Sequence, residues 1–283
     1  MPKIVRIIPR LDIKGPNLVK GIHLEGLRVL GRPESFARHY YENGADEIIY
    51  IDVVASLYER NSLKDIISRT AREAFIPITV GGGLRTLSDI REALRAGADK
   101  VSLNTAAIRN PLIVREAARM FGSSTIVLSI EAIRHSDGRY FAYTDNGREF
   151  SGQEALAWAR RAEELGAGEI LLTSIDREGT GAGFDIELTR LISEAVSIPV
   201  VACGGAGGPC DIADVITEGK ADAVAIASVL HYEYIDNANM REPAGVEGNT
   251  EFLKSNKGFS KIKHSGLMEI KGLLASKGIE CRI

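Results

Sequence analysis

Short apolar runs alternate with amphipathic stretches along most of this 283-residue chain. Each apolar run ends in a polar residue or a glycine, and the stretch after it has apolar positions every three to four residues. The first pattern predicts buried strands, and the second predicts helices that pack against them. The predicted strands are Val5–Leu11, Glu47–Ile51, Ile78–Val80, Lys100–Leu103, Thr125–Ile130, Glu169–Thr173, Val200–Ala202 and Ala223–Ala227.

Helices are predicted between these strands. Pro33–Asn43 opens with a proline in its first turn, which is typical of a helix start. Leu87–Ala96, Gly152–Leu165 and Ile186–Ala195 show the same periodicity, and Leu267–Ser276 predicts a final helix. Regular alternation of strand and helix indicates an α/β fold with a parallel sheet.

The second half of the chain repeats the first. Ile76–Gly83 and Ile198–Gly205 are both strands that start with Ile-Pro and end in glycines, 122 positions apart. Asn43–Ile49 returns as Leu165–Leu171 at the same offset. A repeat this long is not a solenoid unit. Eight strands in two equivalent halves predict a (β/α)₈ TIM barrel; a doubly wound open sheet competes, but would not require the repeat.

The barrel is predicted to be one domain over residues 1–283, with half-barrels at about 1–122 and 123–283. Glu233–Lys263 breaks the pattern, because it is polar and rich in Asn, Gly and Lys. We interpret it as an insertion before the last helix. It either contacts a partner or is a solvent-exposed loop without a function.

Composition narrows the function classes. The chain is 45% hydrophobic and 26% charged with a net charge of −3, which argues against nucleic acid or a membrane as the main partner. It shows neither a signal peptide nor a run of about 20 apolar residues. Cys203, Cys210 and Cys281 are scattered and indicate neither disulfides nor a metal site. We therefore expect a cytoplasmic protein without a metal or a cofactor.

Two carboxylates mark the expected active site. Asp12 follows the first strand and Glu131 the fifth, at nearly the same offset as the repeat. Active sites of TIM barrels lie at the carboxyl ends of the strands, so the two side chains are expected to face each other there. Opposed carboxylates suit general acid–base chemistry. The alternative is that each caps a strand end or pairs with a nearby base.

Two glycine runs are related by the same repeat, and they predict two phosphate sites on opposite rims. Backbone N–H groups of glycines approach an anion closely, and the following helix adds its positive end. The expected residues are Gly82, Gly83, Asn104 and Thr105 at one rim, and Gly204, Gly205, Ala227 and Ser228 at the other. The inferred ligand is long, with a phosphate at each end. The loop Ser174–Gly181 is expected to close over it.

The opposite end of the barrel carries charges. Strand alternation places Arg6 and Asp12 on one side of the first strand. If Asp12 faces the interior, Arg6 lies at the floor with Glu47, Lys100 and Glu169 from three other strand starts. Buried charges need partners, so the four are expected to form a ring, which by itself is equally consistent with a structural plug.

Several motifs together resemble the cyclase subunit of imidazole glycerol phosphate synthase, over about residues 3–232 and again in the last helix. The motifs are Val5–Pro9, Leu11-Asp12, Val19–Gly21, Thr79–Gly83, Gly97–Ser102, Asn104–Ala107, Gly166–Arg177 and Gly204–Gly207. The resemblance implies a barrel that takes ammonia from a glutaminase subunit docked at its N-terminal face. It adds the ammonia to a bis-phosphorylated ribulosyl aminoimidazole carboxamide nucleotide, and cleavage and ring closure yield imidazole glycerol phosphate and aminoimidazole carboxamide ribotide.

The family's roles carry over to positions of this chain. Its catalytic aspartates correspond to Asp12 and Glu131, and its loop lysine corresponds to Lys20. Gly179 joins the second phosphate site, and Arg6, Glu47, Lys100 and Glu169 correspond to the ammonia gate.

The chain also departs from the family. Glu131 replaces an aspartate, and Arg10 replaces a small cysteine just before Leu11-Asp12. We expect Arg10 to lie inside the barrel and to pair with Glu131 or Asp12, holding Glu131 ionised as a poor general acid. These changes, with the insertion, resemble a paralogous branch that supplies ammonia to a sugar amidotransferase for surface polysaccharide. A non-catalytic ammonia conduit and a sugar-phosphate isomerase of the two-phosphate barrels are the remaining alternatives.

Overall fold

Eight parallel strands close into a barrel in a computed structural model that describes residues 4–55, 63–238 and 261–282. The first strand pairs with the second and with the last, and the fifth pairs with the sixth, so the ring has no open edge. Its strands are β1 (Arg6–Lys14), β4 (Ile48–Asp52), β5 (Ile78–Gly81), β6 (Lys100–Leu103), β7 (Ile126–Arg134), β10 (Glu169–Ser174), β11 (Val200–Cys203) and β12 (Ala223–Ile226). The predicted TIM barrel is confirmed.

Two hairpins extend the barrel at the carboxyl end of its strands. The first comprises β2 (Asn17–Ile22) and β3 (Glu25–Gly31), and it pairs with the end of β1. The second comprises β8 (Tyr140–Thr144) and β9 (Glu149–Glu154), and it pairs with the end of β7. The sequence pattern did not predict these four strands.

Helices surround the barrel and pack with apolar faces on it. Leu87–Ala96 begins as predicted, because Thr86 and Asp89 form a capping box there. The described α-helices are α1 (Pro33–Glu42), α2 (Lys64–Glu73), α3 (Leu87–Ala96), α4 (Thr105–Arg109), α5 (Leu112–Phe121), α6 (Ala155–Leu165), α7 (Ile186–Ser193), α8 (Pro209–Thr217), α9 (Ser228–Asn237) and α10 (Leu267–Ser276). No helix among the described residues is long and apolar enough to cross a bilayer.

Two predicted boundaries are wrong. Residues 152–154 end strand β9 instead of opening α6, because they pair with β8. The predicted insertion begins inside α9, which continues to Asn237. Residues 239–260 of that insertion lie outside the described residues, and its last part returns to the site face, where the N–H of Lys263 donates to the Gly207 carbonyl.

The repeat is visible in the backbone. Gly82 follows β5 and Gly204 follows β11, and both have φ of +91°. A Cβ on Gly82 would lie 2.2 Å from the Asp52 carbonyl oxygen, and one on Gly204 would lie 2.7 Å from that of Ser174. Both oxygens belong to the end of the preceding barrel strand. Glycine is therefore required at both positions, because the backbone lies too close to the preceding strand for a Cβ in each half.

Candidate active site

Asp12 and Glu131 both lie inside the barrel at the carboxyl ends of their strands. They are 4% and 6% exposed, respectively. β1 and β7 are separated by three strands in the ring on one side, so the two side chains come from opposite parts of the wall. The structure thus brings the two predicted carboxyl groups to one end of the barrel.

Arg10 lies inside the barrel beneath them and is only 2% exposed. Its Nε donates to Asp12 Oδ1 at 2.9 Å, and its Nη1 donates to Thr173 Oγ1 at 3.1 Å and to Cys203 Sγ at 3.3 Å. Burial opposes its charge, but the surrounding carboxylates, Asp12 foremost, raise the pKa of the guanidinium well above its ordinary value. Arg10 is a permanent buried cation that ties Asp12 to β10 and β11.

Glu131 has a different environment, because its direct side-chain partner is an amide. Asn104 Nδ2 donates to Glu131 Oε2 at 3.1 Å and to the Tyr143 carbonyl at 3.2 Å. Burial raises the pKa of Glu131 to about 7, although Arg10 acts in the opposite direction. The expected position of Arg10 inside the barrel is confirmed, and of its two expected partners it bonds Asp12. Pairing with Glu131, which would have held that group ionised, is not formed, and burial lets Glu131 carry a proton near neutral pH.

Lys20 reaches the same end of the barrel from β2. It is buried and forms an ion pair with Glu178, which is itself buried in the loop after β10. Burial opposes both charges, but Glu178 raises the pKa of Lys20 and, with Arg10, Lys20 lowers the pKa of Glu178. Both groups are therefore charged in this arrangement.

A cavity of about 250 Å³ opens beside Glu131, between β5 and β7. All four residues of the first predicted phosphate site line it: Gly82, Gly83, Asn104 and Thr105. Ser102 Oγ, Asn104 Oδ1 and Asn146 Oδ1 are buried polar atoms in its wall without a hydrogen-bond partner. The two amide oxygens can only accept, whereas the Ser102 hydroxyl can donate or accept, so this wall can bond a ligand that carries both donors and acceptors.

A narrower cleft of about 20 Å³ lies on the opposite rim. Its wall contains the whole second predicted site together with the ion pair: Gly179, Gly204, Gly205, Ala227, Ser228, Lys20 and Glu178. Helix α9 begins at Ser228, so its free N–H groups lie at the edge of this cleft. The two rims therefore differ in volume, about 250 Å³ against about 20 Å³, and each has a glutamate in its wall, Glu131 at the first and Glu178 at the second.

The floor of the barrel carries the predicted ring of charges. Arg6 contacts Glu47 at 2.6 Å and Glu169 at 2.5 Å, and Lys100 contacts both glutamates at 3.0 Å. The two glutamates are 8% exposed, whereas Arg6 and Lys100 retain 24% and 19% exposure. Each of the two cations contacts both glutamates, so every charge in the ring is paired. Between this ring and Arg10 the interior is apolar, with Ile8, Ile49 and Val127 among its side chains.

The model of the histidine biosynthesis protein family matches residues 6–236. An imidazole glycerol phosphate synthase subunit HisF from Legionella pneumophila is 60% identical over 203 residues, which cover 72% of this chain and 96% of the relative. HisF from Alkaliphilus metalliredigens is 48% identical over 84% of this chain and 94% of the relative. HisF from Methanopyrus kandleri is 49% identical over 80% and 90%. The chain belongs to this family, in its HisF branch.

Four residues at this candidate HisF site were not predicted as site residues from the sequence. Glu178 was part of a loop expected to close, but its pairing with Lys20 depends on the fold. Thr173 and Cys203 are the partners of Arg10, and Asn146 enters the first cavity from the turn between β8 and β9. A usable signal existed for Asn146 alone: Asp145-Asn146-Gly147 is a turn sequence, and all three residues have positive φ.

Proposed function

We propose that this HisF chain forms imidazole glycerol phosphate and aminoimidazole carboxamide ribotide from the bis-phosphorylated ribulosyl nucleotide and ammonia, with Asp12 and Glu131 as its acid–base pair. The observation that carries the proposal is the contrast between the two groups. Asp12 meets a guanidinium, whereas burial raises the pKa of Glu131 to about 7. A carboxylate in an ion pair with Arg10 and a carboxyl group that can hold a proton near neutral pH suit the roles of general base and general acid.

The rims support a substrate with two phosphates. The open cavity beside Glu131 offers backbone N–H groups at Gly82 and Gly83, and the cleft at Gly204 and Gly205 offers the start of α9. The second phosphate must displace Glu178 from Lys20 to bind there, because the cleft holds about 20 Å³. Lys20, freed from Glu178, then neutralises the phosphate or the reacting centre.

A glutaminase subunit is the proposed partner, docked on the N-terminal face, and the cytoplasm is the proposed location. Two observations support the docking face. Ile4 and Phe75 precede β1 and β5 at this end of the barrel, and they offer large apolar side chains to a partner, since they are 60% and 76% exposed. The ring of Arg6, Glu47, Lys100 and Glu169 lies at the same end and would then act as the gate for ammonia.

The deciding experiment is turnover of the nucleotide with ammonium salts by the purified chain. Asp12→Asn should lower turnover by more than a hundredfold and leave ligand affinity within a few-fold, because the phosphates supply most of the binding. Crystals soaked in phosphate should carry an anion at both rims. Wild-type protein that binds the nucleotide but never converts it would contradict the proposal.

A second candidate is the ammonia conduit, in which the barrel passes ammonia to a sugar amidotransferase. The observation that favours it is the position of Arg10, whose guanidinium crosses the interior from β1 to β10 and β11 at the site expected to receive ammonia. The same turnover assay separates the two candidates.

A further inference from the structure

Three aromatic rings of the second hairpin and His135, which follows β7, form a partly exposed patch that none of the roles above uses. The aromatic patch comprises His135, Phe141, Tyr143 and Phe150. Neighbouring ring centroids lie 4.6 to 5.7 Å apart, as for His135–Phe141 and Tyr143–Phe150. Phe150 is 55% exposed. A solvated aromatic surface of this kind offers ring faces to a ligand.

The pleat of the sheet connects the patch to the active site. Glu131 on β7 is the cross-strand partner of Tyr143 on β8, and Tyr143 is the partner of Phe150 on β9. Directly paired residues of antiparallel strands point to the same face. Because Glu131 points into the barrel mouth, Tyr143 and Phe150 continue that face outward.

The other face of the hairpin is already occupied. Tyr140 and Ala142 alternate with the patch residues and are buried, and the Tyr140 hydroxyl donates to Asp185 at the start of α7. The hairpin is thus anchored on the helices by one face and presents its aromatic face on the side of the mouth. Asn104 adds a second link, since its amide bonds both Glu131 and the Tyr143 carbonyl.

We propose that the aromatic patch is a binding subsite for the planar imidazole carboxamide ring of the substrate, which stacks on Phe150 and Tyr143 above Glu131. This inference rests on the proposed cyclase reaction and assigns one part of its substrate. Base–aromatic stacking is worth about 1–3 kcal/mol per base in proteins that bind single-stranded nucleic acid, which corresponds to roughly fivefold to more than a hundredfold in affinity. The guanidinium of Arg139, which is ion-paired with Asp137, lies 5.1 Å from the Phe141 ring at the edge of the patch.

The test compares two ligands that share a phosphate and differ in the ring. Aminoimidazole carboxamide ribotide and ribose 5-phosphate are titrated into the full chain by calorimetry. The ratio of their affinities reports how much the aminoimidazole carboxamide ring contributes to binding. Phe150→Ala should lower this ratio about fivefold or more, Phe150→Leu should lower it similarly, and Phe150→Tyr should preserve it, because only tyrosine restores a ring face.

Phe75→Ala is the matched control, since it removes an exposed phenyl group from the other end of the barrel. It should leave the ratio unchanged. In turnover with free ammonia, Phe150→Ala should raise KM by the same factor and change kcat less than twofold.

Two results would overturn the subsite: a wild-type chain that does not prefer the ribotide, or a preference that survives Phe150→Ala. The second would leave the patch as a surface for a protein. The failure of the proposed reaction looks different, because the wild type would then bind without turning over.

Discussion

Single residues set the chemistry at the mouth of the barrel, and the clearest case is the difference between Asp12 and Glu131. Both are buried, but only Asp12 has a cation at bonding distance. Glu131 bonds an amide, and burial then dominates and raises its pKa to about 7.

The raised pKa predicts a pH dependence of activity. If Glu131 is the general acid, kcat/KM measured at constant free ammonia should fall above pH of about 7, as the proton is lost. Glu131→Gln should abolish most turnover. For Glu131→Asp, kcat/KM should still fall at high pH, but the pH of the fall should shift, since the shorter side chain changes the burial of the carboxyl group. A flat profile between pH 6 and 8 would contradict the assignment.

The same group predicts a pH dependence of stability. Its folded pKa is above its ordinary value, so the stability that it contributes is fully present below the unfolded pKa and is lost as pH rises through about 7. Glu131→Gln removes this loss. Between pH 4.5 and pH 8, the free energy of unfolding of the variant should rise relative to that of the wild type by on the order of 3 kcal/mol, at about 1.4 kcal/mol per pKa unit. Urea unfolding at several pH values measures the difference.

Arg10 predicts a further stability effect. Arg10→Met leaves Asp12 buried without its cation, which should cost about 3–5 kcal/mol in the free energy of unfolding. Asp12→Asn on that background should recover part of the loss, because the uncompensated charge disappears. Arg38→Met is the control, since its pair with Glu42 is exposed and its loss should change stability far less than the loss of the buried pair. Equal losses in the two single variants would show that the buried pair contributes nothing specific.

At the scale of elements, the strand-to-helix turns hold the two rims in shape. Gly82 and Gly204 have the same left-handed φ, and each approaches a carbonyl of the preceding barrel strand. These turns expose backbone N–H groups to the cavity or cleft above them. The proposed anion site at each rim therefore depends on the backbone conformation of this turn, and a side chain at either glycine would distort it.

Gly82→Ala should accordingly destabilise the protein and weaken phosphate binding at the open rim. The added Cβ combines an unfavourable φ of +91° with a clash at 2.2 Å. Gly138→Ala is the matched control, because its φ is +84° but nothing lies within 4 Å of its Cβ. The difference between the two variants in unfolding free energy should exceed about 1 kcal/mol. Titration with inorganic phosphate should show a loss of affinity only for Gly82→Ala.

At the scale of the whole molecule, closure of the barrel puts a charged ring at one end and the proposed acid–base pair, Asp12 and Glu131, at the other. The apolar interior between them separates the two polar layers. An apolar layer of this kind suits the passage of a small neutral molecule such as ammonia, because an uncharged molecule crosses apolar surroundings more easily than an ion does. The ring itself is fully paired, and it opens only if one of its ion pairs breaks.

Lys100→Met tests the ring. It removes two ion pairs and leaves Arg6 to neutralise both glutamates. In the complex with a glutaminase, turnover with glutamine should change at least threefold, whereas turnover with free ammonia should change much less. An equal effect on both ammonia sources would leave the ring with a structural role only.

The sequence by itself determined the barrel and most of the candidate site. Strand bounds were predicted within a few residues, and Leu87–Ala96 and Leu267–Ser276 match the structure, because apolar periodicity and local caps are properties of short segments. Gly82, Asn104 and Ser228 could be predicted as site residues since the fold brings every strand end to one face.

Only the tertiary structure decided which partners these residues have. Arg10 had two candidate carboxylates, and its Nε bonds Asp12 on the same strand while its Nη1 reaches Thr173 on β10 and Cys203 on β11. The pairing of Lys20 with Glu178 joins residues 158 positions apart, which no local pattern encodes. The hairpin of β8 and β9 was missed because its alternation is short and its residues 152–154 resemble a helix start. Burial, hydrogen bonding and pKa depend on these long-range contacts, and so does the chemistry of the site.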